Sequence, residues 1–421
     1  MRVGGWFAAA GLAGCAGSVD ADVPEAGVDA RVQGVDRPPA ADRPPRVDAA
    51  EEGVDPAVSC PVEFTGGDPH VRVVEIATGS QLHTCARMED GTVRCRGLND
   101  VGALGVPGTE RCERAVEVPG VTEVEQVVTG GIFGMTCTRH RDGRVRCWGD
   151  NYNGMLGTGG VGDEACPILE GRACRTRATL VPDLDGVVYL AASWDAVCAV
   201  RQDGSLWCWG TFLPDLGAHS TRPRRMVGLD EVVWVRSVSS SPYWLVRHRD
   251  GSLRYTGPLG PSIDPVLFPG EFGPSYASGH LCVTLPDATV RCAGNNHFGQ
   301  LGDGTTHSAL PSEFRARDTG LTAVRAVATG AYHTCAVRLD GTAWCWGDAT
   351  HGALGTRATG VCEGIQGGVL CAPRPVKVDG IDRVTALFLG VWSTWALRDD
   401  GSVWYWGTAR TPAPRPTRVE W

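Results

Sequence analysis

His83-Thr84-Cys85-Ala86-Arg87-Met88-Glu89-Asp90-Gly91-Thr92-Val93-Arg94-Cys95-Arg96-Gly97 decides the fold of this chain. Cys85 and Cys95 lie symmetrically about Asp90, so the two facing strands are joined by an odd number of residues. Glu89-Asp90-Gly91 suits a three-residue hairpin loop, a type I turn followed by a left-handed residue best served by glycine. Counted outward, 88 faces 92, 87 faces 93, 86 faces 94 and 85 faces 95. The cysteines then occupy a non-hydrogen-bonded pair, close enough to bridge the strands.

The same spacing returns along the chain. Cys137 leads through Asp142-Gly143 to Cys147, Cys198 through Asp203-Gly204 to Cys208, and Cys335 through Asp340-Gly341 to Cys345. Cys282 and Cys292 flank Asp287-Ala288, with alanine in place of the turn glycine. Two further copies carry Leu245 with Tyr255 and Trp395 with Tyr405, so they lose both cysteines together, as a bonded pair requires. Five hairpin disulfides are therefore expected. No short C-x2-C pair exists to favour zinc, and no metal is expected. The turn aspartates at 90, 142, 203, 250, 287, 340 and 400 define seven units of about 52 residues. Each unit offers four strand-like runs; in the second they are Val124 to Val128, Met135 to Arg139, Arg144 to Trp148 and Thr179 to Val181. Four antiparallel strands, repeated radially, predict an all-β, seven-bladed β-propeller of four-stranded antiparallel blades.

The recurring His-Thr-Cys-Ala, Asp-Gly-Thr-Val, Cys-Trp-Gly and Gly-x-Leu-Gly elements, the last at Gly102 to Gly105, Gly154 to Gly157, Gly299 to Gly302 and Gly352 to Gly355, carry a resemblance. They resemble the repeats of the regulator of chromosome condensation family, and the likeness extends over residues 60–421. It implies a seven-bladed propeller. The family's secreted bacterial branch, which includes a β-lactamase inhibitory protein, is the expected relation. Pro61-Val62-Glu63-Phe64 and Pro416 to Trp421 compete to complete the last blade, with Arg418 to Trp421 the expected solution.

Ahead of the repeats, Met1 and Arg2 precede a short apolar run that ends in Leu12-Ala13-Gly14-Cys15. That ending resembles the lipobox of bacterial lipoproteins, so 1–14 is expected to be a signal peptide and Cys15 the lipidated residue. Residues 15–58 lack aromatic side chains and repeat Asp-Arg-Pro-Pro, a composition that cannot build a core and reads as a disordered tether. Ten acids and four arginines between 16 and 58 supply most of the formal −9. The expected propeller, 59–421, is therefore close to neutral. With a single lysine, Lys377, it is no candidate for nucleic acid.

Seventeen cysteines in 421 residues point to an oxidising compartment, and a lipidated Cys15 leaves an even sixteen. Beyond the hairpin pairs, Cys166 with Cys174 and Cys362 with Cys371 are expected to brace long loops before outer strands. Cys60 and Cys112 remain, with their pairing open.

Catalytic signals are weak. No phosphate loop, nucleophile elbow or zincin helix appears, and no catalytic residue or cofactor is assigned. His83, His280 and His333 recur as repeat elements and read as structural. More informative are residues that the repeat does not require. The loops between first and second strands carry Phe133, Trp194 with Asp195, Tyr243, Tyr332 and Trp392, all expected on one face. Tyrosine and tryptophan in such places suit a binding surface, although rings that merely cap blade ends would look the same. The expected function is a lipid-anchored, monomeric module of the outer membrane or extracellular space. It would bind an envelope or extracellular protein or glycan, without catalysis, and touch the membrane only through its anchor. An extracellular enzyme with its site at the propeller channel, or an inhibitor of an extracellular enzyme, are the alternatives.

Overall fold

The computed structural model describes residues 71–421 except 79–81, 109, 132, 161–165, 167–172, 212–218, 238–243, 257–270, 273–278, 307–315, 365–367 and 408–414. Cys15, the tether and Tyr243 lie outside the described residues. The strands form seven antiparallel sheets, the blades of a propeller. Blades 1, 2, 3, 5 and 7 span 73–117, 124–180, 187–225, 271–318 and 384–419, and each has four strands in sequence order. Blade 4 has three described strands within 232–255. Blade 6, within 324–377, departs from the expected four: Gly360–Cys362 pairs with Val369–Lys377 as a fifth, outermost strand. Thr417–Val419 pairs with Val403–Trp406, so the C-terminal segment completes blade 7.

The hairpin register is the one the spacing requires. Cys85 faces Cys95, and Cys137, Cys198, Cys282 and Cys335 face Cys147, Cys208, Cys292 and Cys345. All five pairs are disulfides with Cα atoms 4.1 Å apart, the close approach of a non-hydrogen-bonded pair. Cys166–Cys174 and Cys362–Cys371 are also bonded. Cys112 is also disulfide-bonded. In the hairpin loops the aspartate Oδ1 accepts from the backbone two residues on, as Asp90 does from Thr92 N at 2.9 Å. The following residue is left-handed, with φ +82° at Gly91. Ala288 sits at +60° in the same place, where a Cβ is strained. Ala288→Gly is expected to stabilise the protein by about 0.5–1 kcal/mol, strain relief exceeding the entropy glycine adds to the unfolded chain. Chemical denaturation checks this, and a lowered midpoint contradicts it.

Gly-x-Leu-Gly finds its reason between blades. Trp148, Trp209, Trp346 and Trp406 are fully buried and donate Nε1 to the carbonyls of Ala103, Met155, Gln300 and Ala353 at 2.8–2.9 Å. Each carbonyl belongs to the Gly-x-Leu-Gly segment of the preceding blade. The segment's last glycine lies against the indole: a Cβ on Gly302 would come within 2.7 Å of Trp346 Nε1. Only glycine permits that approach, and it also supplies the required φ of +74°. Trp207, Trp344 and Trp404 are half-buried beneath the guanidinium groups of Arg201, Arg338 and Arg398, 5.7–5.8 Å from the rings. All seven of these tryptophans are therefore engaged in packing.

Candidate functional site

Loops between first and second strands share a face with the Gly-x-Leu-Gly segments that follow third strands. In blades 6 and 7 these loops are tight, closed by Gly330 N to His333 O at 2.8 Å and Gly390 N to Ser393 O at 2.9 Å. Ala331 N also donates to Gly390 O at 3.3 Å, tying one loop to the next. That backbone arrangement brings Tyr332 and Trp392 together, ring centroids 6.4 Å apart and 29° from parallel. Phe298 lies 5.0 Å from Tyr332 on one side, and His351 stacks on Trp392 at 4.5 Å on the other. Four rings from three blades form one row, within which Tyr332, His351 and Trp392 remain partly exposed.

Sequence reasoning found Tyr332 and Trp392 but missed Phe298 and His351. The missing signal is positional. Each stands directly before the first glycine of Gly-x-Leu-Gly, where other blades carry Val101 and Asn153. A residue there touches the aromatic of the next blade's loop. Val101 behaves likewise, since it shares a cluster with Phe133.

The other candidates do not join the row. Phe133 packs on Val101, Ala103 and the Cys166–Cys174 disulfide, as a ring that caps its blade. Trp194 is half-buried on a separate loop. Asp195 is fixed there by its carbonyl, which accepts from Thr211 N at 2.7 Å, and burial pushes its carboxyl pKa up.

A second concavity follows the propeller axis. It is an open cavity of about 350 Å³ lined by first strands, with Glu75, Gln126, Tyr189, Arg236 and Phe388 among its walls. Its polar groups serve the wall itself. Glu75 Oε2 accepts from Arg87 Nε at 3.0 Å and Val127 N at 3.3 Å. Burial pushes the Glu75 pKa up while the Arg87 contact opposes the shift. Gln126 pairs both ways with the Leu190 backbone, at 2.9 and 2.8 Å. Arg236 lies over Trp234 at 4.9 Å. Among the described residues no three histidine, cysteine or acidic side chains converge as a metal site.

Models of the regulator of chromosome condensation (RCC1) repeat match residues 73–103, 290–337 and 324–353. The chain carries repeats of the regulator of chromosome condensation family. The Arabidopsis thaliana ultraviolet-B receptor UVR8 is 26% identical over 323 residues, 70% of this chain and 69% of the receptor. The Mus musculus regulator of chromosome condensation is 26% identical over 370 residues, 77% and 82% of the two chains. Yeast RCC1 (Prp20), in a crystal structure bound to Kap60, is 19% identical, with 82% of this chain and 74% of that one covered and a TM-score of 0.47. The matched segments include Trp346 and the Cys85–Cys95 and Cys335–Cys345 disulfides. Phe298, Tyr332 and His351 of the row lie within them, and Trp392 lies outside.

Proposed function

We propose that this RCC1-repeat propeller is a non-catalytic binding module, held outside the cell by a lipidated Cys15 and its acidic tether, that engages a protein through the row Phe298–Tyr332–Trp392–His351. The carrying observation is the row itself: three partly exposed rings, immobilised by stacking and by inter-loop backbone bonds, on a face the fold does not need to be aromatic. Rigid tyrosine and tryptophan lose little entropy on binding and tend to dominate interface energies. The family's protein-binding character supports a protein over a glycan.

The test compares the full chain with the Tyr332→Ala/Trp392→Ala double variant in cross-linking capture from the native envelope, followed by affinity measurement on the recovered protein. A loss of at least about thirty-fold is expected, equivalent to about 2 kcal/mol. Equal capture and affinity by a folded double variant sinks the reading, as does row-dependent binding to purified glycan alone. Fatty-acid labelling that survives Cys15→Ala contradicts the anchor.

A further inference from the structure

At the seams between blades two repeat positions meet: the residue two places before one blade's first hairpin cysteine, and the residue directly before the next blade's cysteine or the Leu245 or Trp395 that replaces it. Between blades 1 and 2 these are His83 and Thr136, Nε2 to Oγ1 at 2.8 Å. Between blades 5 and 6 they are His280 and Thr334 at 2.9 Å, and between blades 6 and 7 His333 and Thr394 at 2.8 Å. The three threonine hydroxyls give their protons to the carbonyls of Ala103, Gln300 and Ala353 at 2.8–3.0 Å. Each hydroxyl oxygen must then accept, so the network assigns histidine the tautomer that donates from Nε2. Two seams without the histidine also lack the threonine, whereas Ser393 and Thr84 hold these positions between blades 7 and 1. Met135 meets Val197 in one apolar cluster between blades 2 and 3, and Ala196 meets Trp244 in another between blades 3 and 4.

The clamp between blades 6 and 7 has a particular neighbourhood. His333 directly follows Tyr332, and Thr394 lies two residues past Trp392. Its hydrogen bond therefore joins the bases of the two loops whose rings stack. Thr334, two residues past Tyr332, is held in turn by His280 from the blade that supplies Phe298.

We propose that His333, with His280 at the adjoining seam, is a positioning residue for the aromatic row, and that matched seam pairs set where the first-strand loops stand. The functional meaning rests on the row being the binding face, but its geometry is measurable without a partner. The full chain is compared with His333→Met, Thr394→Val, the His333→Met/Thr394→Val double variant and His83→Met. The readout is the near-ultraviolet circular dichroism of Trp392, identified as the part lost in Trp392→Phe. His333→Met should lower Tm by a few degrees and diminish the Trp392 band at temperatures where the fold is intact. Thr394→Val should lower Tm further, because it strands a buried donor. The double variant recreates the Met135–Val197 pairing and should recover both band and Tm. His83→Met should lower Tm like His333→Met and leave the band unchanged. An unchanged band in folded His333→Met, an equal change in His83→Met, or a double variant no better than the worse single overturns the proposal. If His333→Met does not fold, recovery by the double variant decides. Normal band behaviour with no partner loss in Tyr332→Ala/Trp392→Ala would remove the binding reading and leave the positioning intact.

Discussion

Cys335→Ala with Cys345→Ala, which deletes one hairpin disulfide, lowers stability by about 2–3 kcal/mol, and reduction of all the disulfides removes the folded ring at 25 °C. The first figure follows from closing a ten-residue separation in the unfolded chain. Five equal hairpin bridges then sum to on the order of 10 kcal/mol, which matches the whole stability of an ordinary domain. Packing is not what the bridges add. Blades 4 and 7 fill the same place with Leu245 facing Tyr255 and Trp395 facing Tyr405, the latter rings 4.5 Å apart. The hairpin cysteines are at most 3% exposed, so a reductant reaches them only when a blade opens. Guanidinium titration of the Ala/Ala variant measures the first value, and a midpoint shift worth under about 0.5 kcal/mol contradicts it. Circular dichroism after reduction in mild denaturant tests the second; a native spectrum from a fully reduced chain defeats it.

Acid weakens the ring in a window set by His83, His280 and His333. Burial pushes each of these pKa values down from the ordinary 6.5 to about 3. Between pH 6.5 and 3 the unfolded chain binds protons that the folded one refuses, so stability is complete above 6.5 and falls as the pH drops. At pH 5 the loss is about 2 kcal/mol per histidine relative to pH 7, about 6 kcal/mol for the three. Glu75, with its pKa raised by burial, acts in the opposite sense, and His140, its pKa lowered by burial, acts in the same sense. Denaturation midpoints at pH 7 and pH 5 measure the slope. The His333→Met/Thr394→Val variant should lose about a third of it. Identical stability at the two pH values, or an unaltered slope in that variant, contradicts buried neutral histidines.

The hairpins were the most legible part of the molecule, because a symmetric Cys–Asp–Cys spacing admits one register and each blade repeats it. The seven pairs expected from the sequence, five hairpin pairs and two loop pairs, are all bonded in the structure. What spacing conceals is contact between units. Phe298 and Trp392 lie in different blades, and Phe298 looks like filler ahead of Gly-x-Leu-Gly until Tyr332 is seen against it. The His–Thr correspondence has the same character: its members are 53–61 residues apart and pair only because consecutive blades face each other. The fifth strand of blade 6 was hidden for a different reason. Val361 and Leu370 are 68% and 55% exposed, so no buried alternation marked the extension.

Blades 1 and 7 meet through packing and hydrogen bonding: Val73, Ile76, Trp395 and Leu397 share a cluster, and Arg94 Nη1 donates to Trp421 O at 3.2 Å. No strand crosses from one blade into the other there, since each is built from consecutive segments. The circle is thus a row of modules whose ends touch, and its closing junction is made without the histidine–threonine bond of three other seams. Among the described residues no strand latches it. Such an arrangement lets the order of blades be altered, or one be duplicated or lost in evolution, without untying any knotwork in the rest.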